Sequence, residues 1–419
     1  MIVPAVDTSI GMEVYSTDMQ GIAGSIKRST DQFLVEELLD KISIDLTNNP
    51  DEEHEYPLYL LQKEGIDSSH AIKEMELAIG CKFKAVGLKD AKAVTKQYVS
   101  SVIKRRATKA HHVTKHCIVD LIGYTTRPIT KGNLVGNGFT ITITGSCGNV
   151  EQSIRELQET IYRNNIANFY GYQRFGSARA VTHLVGREML KKNFKEAVEL
   201  FLCYPGRYDS KETTEMREAC KDSSNFEKVL KIMSPHMDLE RILLQELVSS
   251  SDPIRALRKI PISIRRLLVQ AYQAYLFNRS LSKAIKHGHD IASPTSGDVC
   301  FCVTDNGVSR IRRFDDNSTV IQLPAIPLAG YAFKDDNRFS SIVKGIMEEE
   351  NLSKNDFYVK EMQEVSVEGG FRHTSLLCNK FSHMLGESLK LRFFLYKGSY
   401  ATVLLRELMK PTDPIAVGF

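Results

Sequence analysis

The 419-residue chain is 42% hydrophobic and 25% charged, proportions of an ordinary globular protein long enough for two or three domains, which excludes a disordered or fibrous chain. Its 55 Lys and Arg against 51 Asp and Glu leave a net +4, too mild a balance to name a nucleic-acid partner by itself. No apolar run approaches the roughly 18 residues of a membrane span, and residues 1–12 lack a basic stretch leading into an apolar one, so neither a membrane partner nor a secretory leader is expected and the expected location is cytoplasmic.

Along the chain, Phe33, Val35 and Glu37 alternate with Leu34, Glu36 and Leu38 after a turn-like Ser-Thr-Asp, the pattern of a strand. Residues 56–63 form a second apolar, aromatic strand ended by Gly65. Ser68 or Ser69 then caps a helix running through Ala71, Met75 and Ile79, with Gly80 as its stop. A short strand over 83–88 leads directly into Lys89 and Asp90. Residues 117–123 and the Phe139, Ile141, Ile143 alternation read as further strands, and 151–164 has helical spacing. Beyond about residue 177 the character changes to successive helices at 184–192, 194–202, 213–220, 226–233, 239–247 and 262–286. Strand-like runs follow at 299–303, 308–312 and 320–323, the first two joined by Asp305-Asn306-Gly307 as a hairpin. A strand returns at 391–395, and 400–408 is continuously apolar. The pattern is an α/β core with a largely helical segment inserted.

Basic residues cluster. Lys104, Arg105, Arg106, Lys109 and Lys115 stand with His111, His112 and His116, and further groups are Arg258, Lys259, Arg265 and Arg266, then Arg310, Arg312 and Arg313. Such patches either track phosphates, with counterion release supplying affinity, or are solvated faces. Of the eight cysteines only Cys300 and Cys302 are close, a poor zinc signature, and His111, His112, His116 and Cys117 lack a second ligand pair. No metal is expected. Phosphate-binding loops, dinucleotide fingerprints, zinc-protease motifs and the nucleophile elbow are all absent from the sequence.

Two segments are dense in polar groups and glycine. In the first, Gly87-Leu88-Lys89-Asp90 and the following Ala93, Thr95, Lys96 and Gln97, a carboxylate follows a short strand among Lys89, Lys92 and Lys96, whose charge favours the ionised form a nucleophile needs. The alternative is that Asp90 merely caps a following helix. The second, 167–176, interleaves Phe169, Tyr170, Tyr172 and Phe175 with Asn168, Gln173 and Arg174. That is the composition of a base-stacking, edge-reading site, its glycines letting backbone approach a ligand, or else of an aromatic core plug under a loop.

Together these segments resemble the signature motifs of the TruD family of pseudouridine synthases. Gly87, Lys89, Asp90, Ala93, Thr95 and Gln97 match G-x-K-D-x-x-A-x-T-x-Q, and Asn168, Gly171, Gln173, Arg174, Phe175 and Gly176 match N-[FY]-[FY]-G-x-Q-R-F-G. Lys27 with Asp31, Phe33, Val35 and Glu37 is similar to a basic residue before D-F-x-V-x-E. Asn137-Gly138-Phe139 resembles the family's G-N-x-F strand, 270–281 a further family helix, and 398–407 its closing G-S-Y-A-T-x-x-L-R-E block. The landmarks run in order from about residue 21 to 410. The resemblance implies an α+β fold: a pseudouridine synthase catalytic domain with a mixed, mainly antiparallel sheet, over 1–176 and again 386–419, and an inserted, mainly helical domain with a small β part over 177–385, of a size more like archaeal or eukaryotic members.

It also implies isomerisation of uridine, position 13 of tRNA favoured, in a flipped-out base and with no cofactor. Asp90 is then the catalytic carboxylate. Phe169 or Tyr170 stacks on the uracil, and Asn168 bonds Asp90 or the base edge. Lys27 serves as counter-ion or phosphate contact, Phe33 packs near the site, and Lys89 and Arg174 play either part or a structural one. The basic groups at 258–266 and 310–313 are candidates for gripping the RNA. tRNA is the expected partner, with no DNA and a monomer as default. The competing readings are a non-catalytic RNA-binding protein or RNA chaperone on the same scaffold, and an interaction scaffold that binds no RNA.

Overall fold

The computed structural model describes residues 2–87, 89, 91–105, 107, 110–234, 237–304 and 307–419, and of Lys41, Ser309 and Arg310 the backbone alone. The first half is mixed: α1 (Ala5–Ser9), β1 (Phe33–Leu39), α2 (Lys41–Ile44), β2 (Tyr56–Lys63), α3 (Ser68–Ile79), β3 (Phe83–Ala85), β4 (Val94–Ser101), β5 (His111–Val113), β6 (Cys117–Thr125), β7 (Leu134–Ile143) and α4 (Val150–Tyr162). A helical stretch follows: α5 (Thr182–Leu190), α6 (Phe194–Cys203), α7 (Lys211–Ala219), α8 (Phe226–Ile232), α9 (Asp238–Ser250), α10 (Pro253–Lys259) and α11 (Ile262–Lys286). The rest is β8 (Val299–Thr304), β9 (Gly307–Arg313), β10 (Ile321–Leu328), α12 (Ser340–Glu349), β11 (Gly370–His373), β12 (Cys378–Leu385), β13 (Leu389–Tyr396) and α13 (Ala401–Met409).

Among the described residues these strands make two sheets. Nine strands run in the order β12-β13-β7-β1-β4-β2-β6-β5 with β3 on β4, and four in the order β11-β10-β8-β9. The β1–β4 pair is parallel and the other pairs are antiparallel, the α+β arrangement expected. No helix among the described residues is long and apolar enough to cross a membrane.

Three local readings change. The cap of α3 is Asp67, whose carboxylate accepts from the Ser69 and His70 amides, and Gly80 ends the helix at φ +69°. Helices α10 and α12 were not foreseen. The former starts on an Asp252 cap with Pro253 at its first position, a signal that is legible in sequence. The third concerns the division of the chain. Cys378–Leu385, placed in the insertion by the expected return at 386, pairs with β13 in the large sheet. As an edge strand exposed on both faces, it lacks the alternation by which a half-buried strand is recognised. Asp305 and Asn306 of the expected hairpin turn lie outside the described residues, and β8 and β9 pair on either side of them.

One hydrophobic core spans both parts, joining Ile141 and Ile143 of the large sheet to Val185, Val269 and Phe277 of the helices. The 25-residue α11 is buried through Leu268, Ala271, Tyr272, Ala274, Leu276 and Leu281, apolar on more than one face because elements surround it. The N-terminal segment is laced into it. Asn278 donates to the Ile10 carbonyl at 2.9 Å and Ser282 to the Gly11 carbonyl at 2.8 Å. Beyond it, Arg406 of α13 is fully buried, ion-paired with Asp7 and Glu407, and donates to the Val14 carbonyl at 2.9 Å. Tyr172 donates to the other oxygen of Asp7 at 2.7 Å. Burial opposes the charge on Arg406, but Asp7, Tyr172 and Glu407 outweigh it and hold its pKa above the ordinary value.

Removing one member of a buried pair strands the other's charge, which costs about 3–5 kcal/mol. Arg406→Met is therefore expected to lower the unfolding free energy measured in urea by that order, and adding Asp7→Asn to recover part of the loss. An additive double variant would contradict the pairing.

Candidate active site

Strand register builds one wall of the site. Thr95 stands opposite Val35, Val35 opposite Phe139, and Phe139 opposite Phe393. Opposed residues share a face, so the four form a stripe across β4, β1, β7 and β13. Phe33, two residues before Val35, lies on the same face. It meets Phe139 edge-on with centroids 6.3 Å apart, and Phe139 stacks on Phe393 at 5.3 Å.

The facing wall is the start of α13. A cavity of about 210 Å³ separates the two and is lined by Phe33, Val35, Thr95 and Phe139 on the sheet, by Ser399, Tyr400, Ala401 and Thr402 on the helix side, and by Lys27, Lys89, Ala93, Asn137 and Gln173 at its edges. The aromatic motif reaches it through Gln173, whose side-chain oxygen accepts from Thr402 at 3.2 Å. Gly171 sits where a Cβ would come 2.9 Å from the Thr402 hydroxyl and 3.0 Å from Tyr400. Its glycine therefore serves the close approach of this loop to α13, rather than the approach of backbone to a ligand that the sequence suggested.

The loop that joins β3 to β4 is anchored at Lys89. The Lys89 amide donates to the Ser68 hydroxyl at 2.8 Å, and that hydroxyl donates to Gln97 at 2.8 Å, tying the loop to α3 and β4. The Lys89 ammonium donates to Asn137 at 2.7 Å and pairs with the fully buried Glu37 carboxylate at 3.1 Å. Lys27, held at φ +56°, places its ammonium 4.5 Å from the Phe33 ring centroid. Among the described residues, the hydroxyl of buried Thr95 lacks a hydrogen-bond partner, as does the Ser399 hydroxyl. Asp90 lies outside the described residues. Ala91–Ala93 bend and Val94 begins β4, so no helix follows position 90 for an aspartate to cap.

Of the residues singled out from sequence, the fold thus brings Lys27, Phe33 and Lys89 to the cavity. Asn168, Phe169, Tyr170 and Arg174 do not line it. Asn168 is fully buried, its side-chain amide donating to the His373 carbonyl at 3.2 Å. Phe169 is fully buried near Arg406, 5.9 Å from guanidinium to ring, which leaves no face for a base and corrects the expected stacking role. Tyr170 is packed edge-on against Phe277 and Tyr400, with the Arg372 guanidinium 3.9 Å from its centroid. This part of the motif is the core plug. The rings at the cavity are Phe33, Phe139 and Tyr400, of which only Phe33 was foreseen. Phe139 and Tyr400 stood within quoted motifs, but nothing local marks them as neighbours.

The basic groups are largely paired with other groups of the chain, although Arg258, Arg266, Arg312 and Arg313 stay exposed. Arg258 and Arg266 donate to the carbonyls of Glu361 and Glu364 at 2.6 and 2.7 Å, and Arg265 pairs with the Glu364 carboxylate. Arg313 pairs with Asp336 at 3.0 Å, and Arg312 donates to the Cys302 sulfur at 2.7 Å. His111 meets Asp120 at 2.6 Å and His116 meets Glu74 at 2.7 Å. The placements of Arg106, Lys109 and the Arg310 side chain are outside the described residues.

His373 is buried beside Asn168. Burial, reinforced by neighbouring Arg372, lowers its pKa from 6.5 to about 4, so the folded protein holds it neutral. The unfolded chain protonates it first, so its contribution is full above about pH 6.5 and is lost as pH falls towards 4. Comparing urea midpoints at neutral pH and about pH 5, wild type should lose on the order of 2 kcal/mol more than His373→Gln. Equal losses would show the imidazole titrating normally.

Comparisons with known proteins agree with this architecture. The family model described as tRNA pseudouridine synthase D (TruD) matches residues 9–408. A Pyrobaculum neutrophilum protein named "Probable tRNA pseudouridine synthase D" is 31% identical over 429 residues, covering 99% of each chain. An Archaeoglobus fulgidus protein of the same name is 30% identical over 419 residues, covering 96% of this chain and 99% of its own. The crystal structure of a Methanosarcina mazei protein named as a tRNA pseudouridine synthase D (TruD) superposes with a TM-score of 0.75 at 26% identity, covering 99% of this chain and 100% of that one. On the extent of these matches, the chain belongs to the tRNA pseudouridine synthase D family.

Proposed function

We propose that this protein isomerises a uridine of tRNA, position 13 first among candidates, to pseudouridine, with Asp90 as the catalytic carboxylate. The observation that carries the reading is the cavity between the Phe139 stripe and the start of α13: aromatic rings on both walls with a few hydroxyl and amide groups among them, as a single extruded base requires. In sequence Asp90 stands between Lys89 and Ala93, both of which line that cavity.

The reaction breaks the N1–C1′ bond, turns the uracil, and joins C5 to C1′; the C5 proton leaves and N1 gains one, so no oxidant or energy carrier enters. Asp90 starts the cleavage as nucleophile or base. Phe139 and Tyr400 sandwich the ring, and the unpartnered Thr95 hydroxyl bonds a uracil edge. Lys27 supplies positive charge near the carboxylate, and Glu37 acts through Lys89 and Asn137 to hold the loop that carries Asp90.

The test is tritium release from tRNA carrying 5-³H-uridine, with tRNA binding measured in parallel. Asp90→Ala is expected to bind tRNA as wild type does and to release at least about a thousandfold more slowly. Phe139→Ala should lower kcat/KM roughly 10- to 100-fold, since a base–aromatic stack contributes about 1–3 kcal/mol. A tRNA with cytidine at position 13 should yield no release above the background from other uridines. Tight tRNA binding without release from any labelled RNA would favour a non-catalytic RNA-binding protein instead.

A further inference from the structure

Among the described residues, most buried and half-buried arginines are matched by carboxylates, while Arg105 and Arg241 bond backbone carbonyls instead. Arg406 has Asp7 and Glu407, Arg217 has Asp209 at 2.8 Å, Arg279 has Glu350 at 2.7 Å, Arg338 has Asp298 at 3.1 Å and Arg265 has Glu364. Arg174 and Arg372, which close on the Tyr170 ring at 5.7 and 3.9 Å, have no carboxylate within ion-pairing distance among the described residues. Arg372 is only 7% exposed. It uses Nε and Nη2 on the Asn168 carbonyl, the Asn168 side-chain oxygen and the Phe169 carbonyl, at 3.0, 3.1 and 3.2 Å. Arg174 makes one hydrogen bond, to Gln270 at 3.2 Å, and its buried Nε has no partner. A guanidinium charge withdrawn from water at Arg372, beside a half-buried one at Arg174, is costly without counter-charge unless an anion arrives from outside the chain.

The structure shows where such an anion would sit. The remaining nitrogen of Arg372 lies against Gly398, 3.7 Å from where a Cβ would be, and Gly398 leads into Ser399, Tyr400 and the first turn of α13. That nine-residue helix has no side-chain cap at Tyr400, and its first residues, Ala401 and Thr402, line the cavity, so its N-terminal end lies at the cavity wall. The Ser399 hydroxyl at the same wall is buried and has no partner. The positive field acts on the neighbouring groups: Arg372 disfavours protonation of His373, and both arginines pull against the burial that raises the Tyr400 pKa.

We propose that Arg174, Arg372, Ser399 and the first turn of α13 form a phosphate subsite, holding one phosphodiester of the RNA beside the nucleotide in the cavity. The proposal rests on the reading of the cavity as a nucleotide site and adds to it the group that fixes the backbone while the base is out of its stack. Arg372 belongs to β11 of the small sheet, so the subsite joins the two sheets at the point where the RNA enters.

Binding of tRNA to the full-length protein, followed across about 50 to about 300 mM salt, tests this. Each lost phosphate contact should reduce the slope of log Kd against log salt by about 0.7–0.9. Arg174→Gln and Arg372→Gln are each expected to weaken binding several-fold at low salt and to show that shallower slope, with Ser399→Ala weakening binding at an unchanged slope. Arg372 also clamps Asn168, so its variant is read together with its melting temperature, whereas Arg174, with a single hydrogen bond, is free of that complication. If Arg174→Gln retains the wild-type slope, the subsite is wrong, and a loss of kcat alone would make the arginines packing groups of the cavity wall. Failure of wild type to release tritium from tRNA is a separate outcome, which removes the cavity reading itself.

Discussion

The buried pair of Arg406 and Asp7 is the interaction on which the arrangement of the site depends. It joins three stretches far apart in the chain: the N-terminal segment through Asp7, the aromatic motif through Tyr172, and α13 through Arg406. A charge pair taken wholly out of water is a weak source of net stability but a strong source of specificity, because any arrangement that separates its members is heavily penalised. Here it fixes the position of α13 and hence of Ser399–Thr402, the cavity wall at that helix's start. Glu407, the next residue, completes the tie by accepting the Ser16 amide at 3.0 Å.

The other wall has a different origin. A sheet holds side chains at a spacing set by strand pairing, so the Thr95, Val35, Phe139, Phe393 row follows from register alone. Rigid walls on both sides suit a site that must hold a base without support from its helical stack. The helical stretch and small sheet bear on the same place. Asn278 of α11 brackets Tyr170, donating to its carbonyl at 3.1 Å and accepting its amide at 2.8 Å. Arg372 of β11 grips the two residues before it. The aromatic motif is thus a keystone between the two parts, which accounts for its density of rings and polar groups without a ligand in contact with most of them.

That explains where sequence reading went astray. Phe169 and Tyr170 have the composition of a stacking platform, and composition does not distinguish a ring facing a substrate from one facing Arg406 or Arg372. The basic groups at 258–266 and 312–313 read from sequence as an RNA-gripping surface, and the fold adds the carbonyls and carboxylates that receive them. Helix α10 was legible through Asp252-Pro253 and was overlooked. The edge strand Cys378–Leu385 was not legible, since exposure on both faces removes the period that marks a strand.

The sequence by itself determined the α+β class, the major strands β1, β2, β6, β7 and β13, the end residues of α11, and the ordered motifs that place the chain in its family. These properties follow from hydrophobic period, capping chemistry and residue order, all of which are local. Only the tertiary structure decided that Phe139 and Tyr400, rather than Phe169 and Tyr170, face the cavity, and that Arg174 and Arg372 have no carboxylate partner among the described residues. Which side of a ring is covered, and which charge lacks its counter-charge, depends on contacts between residues more than two hundred positions apart, such as Asn168 and Arg372, and no local pattern encodes them.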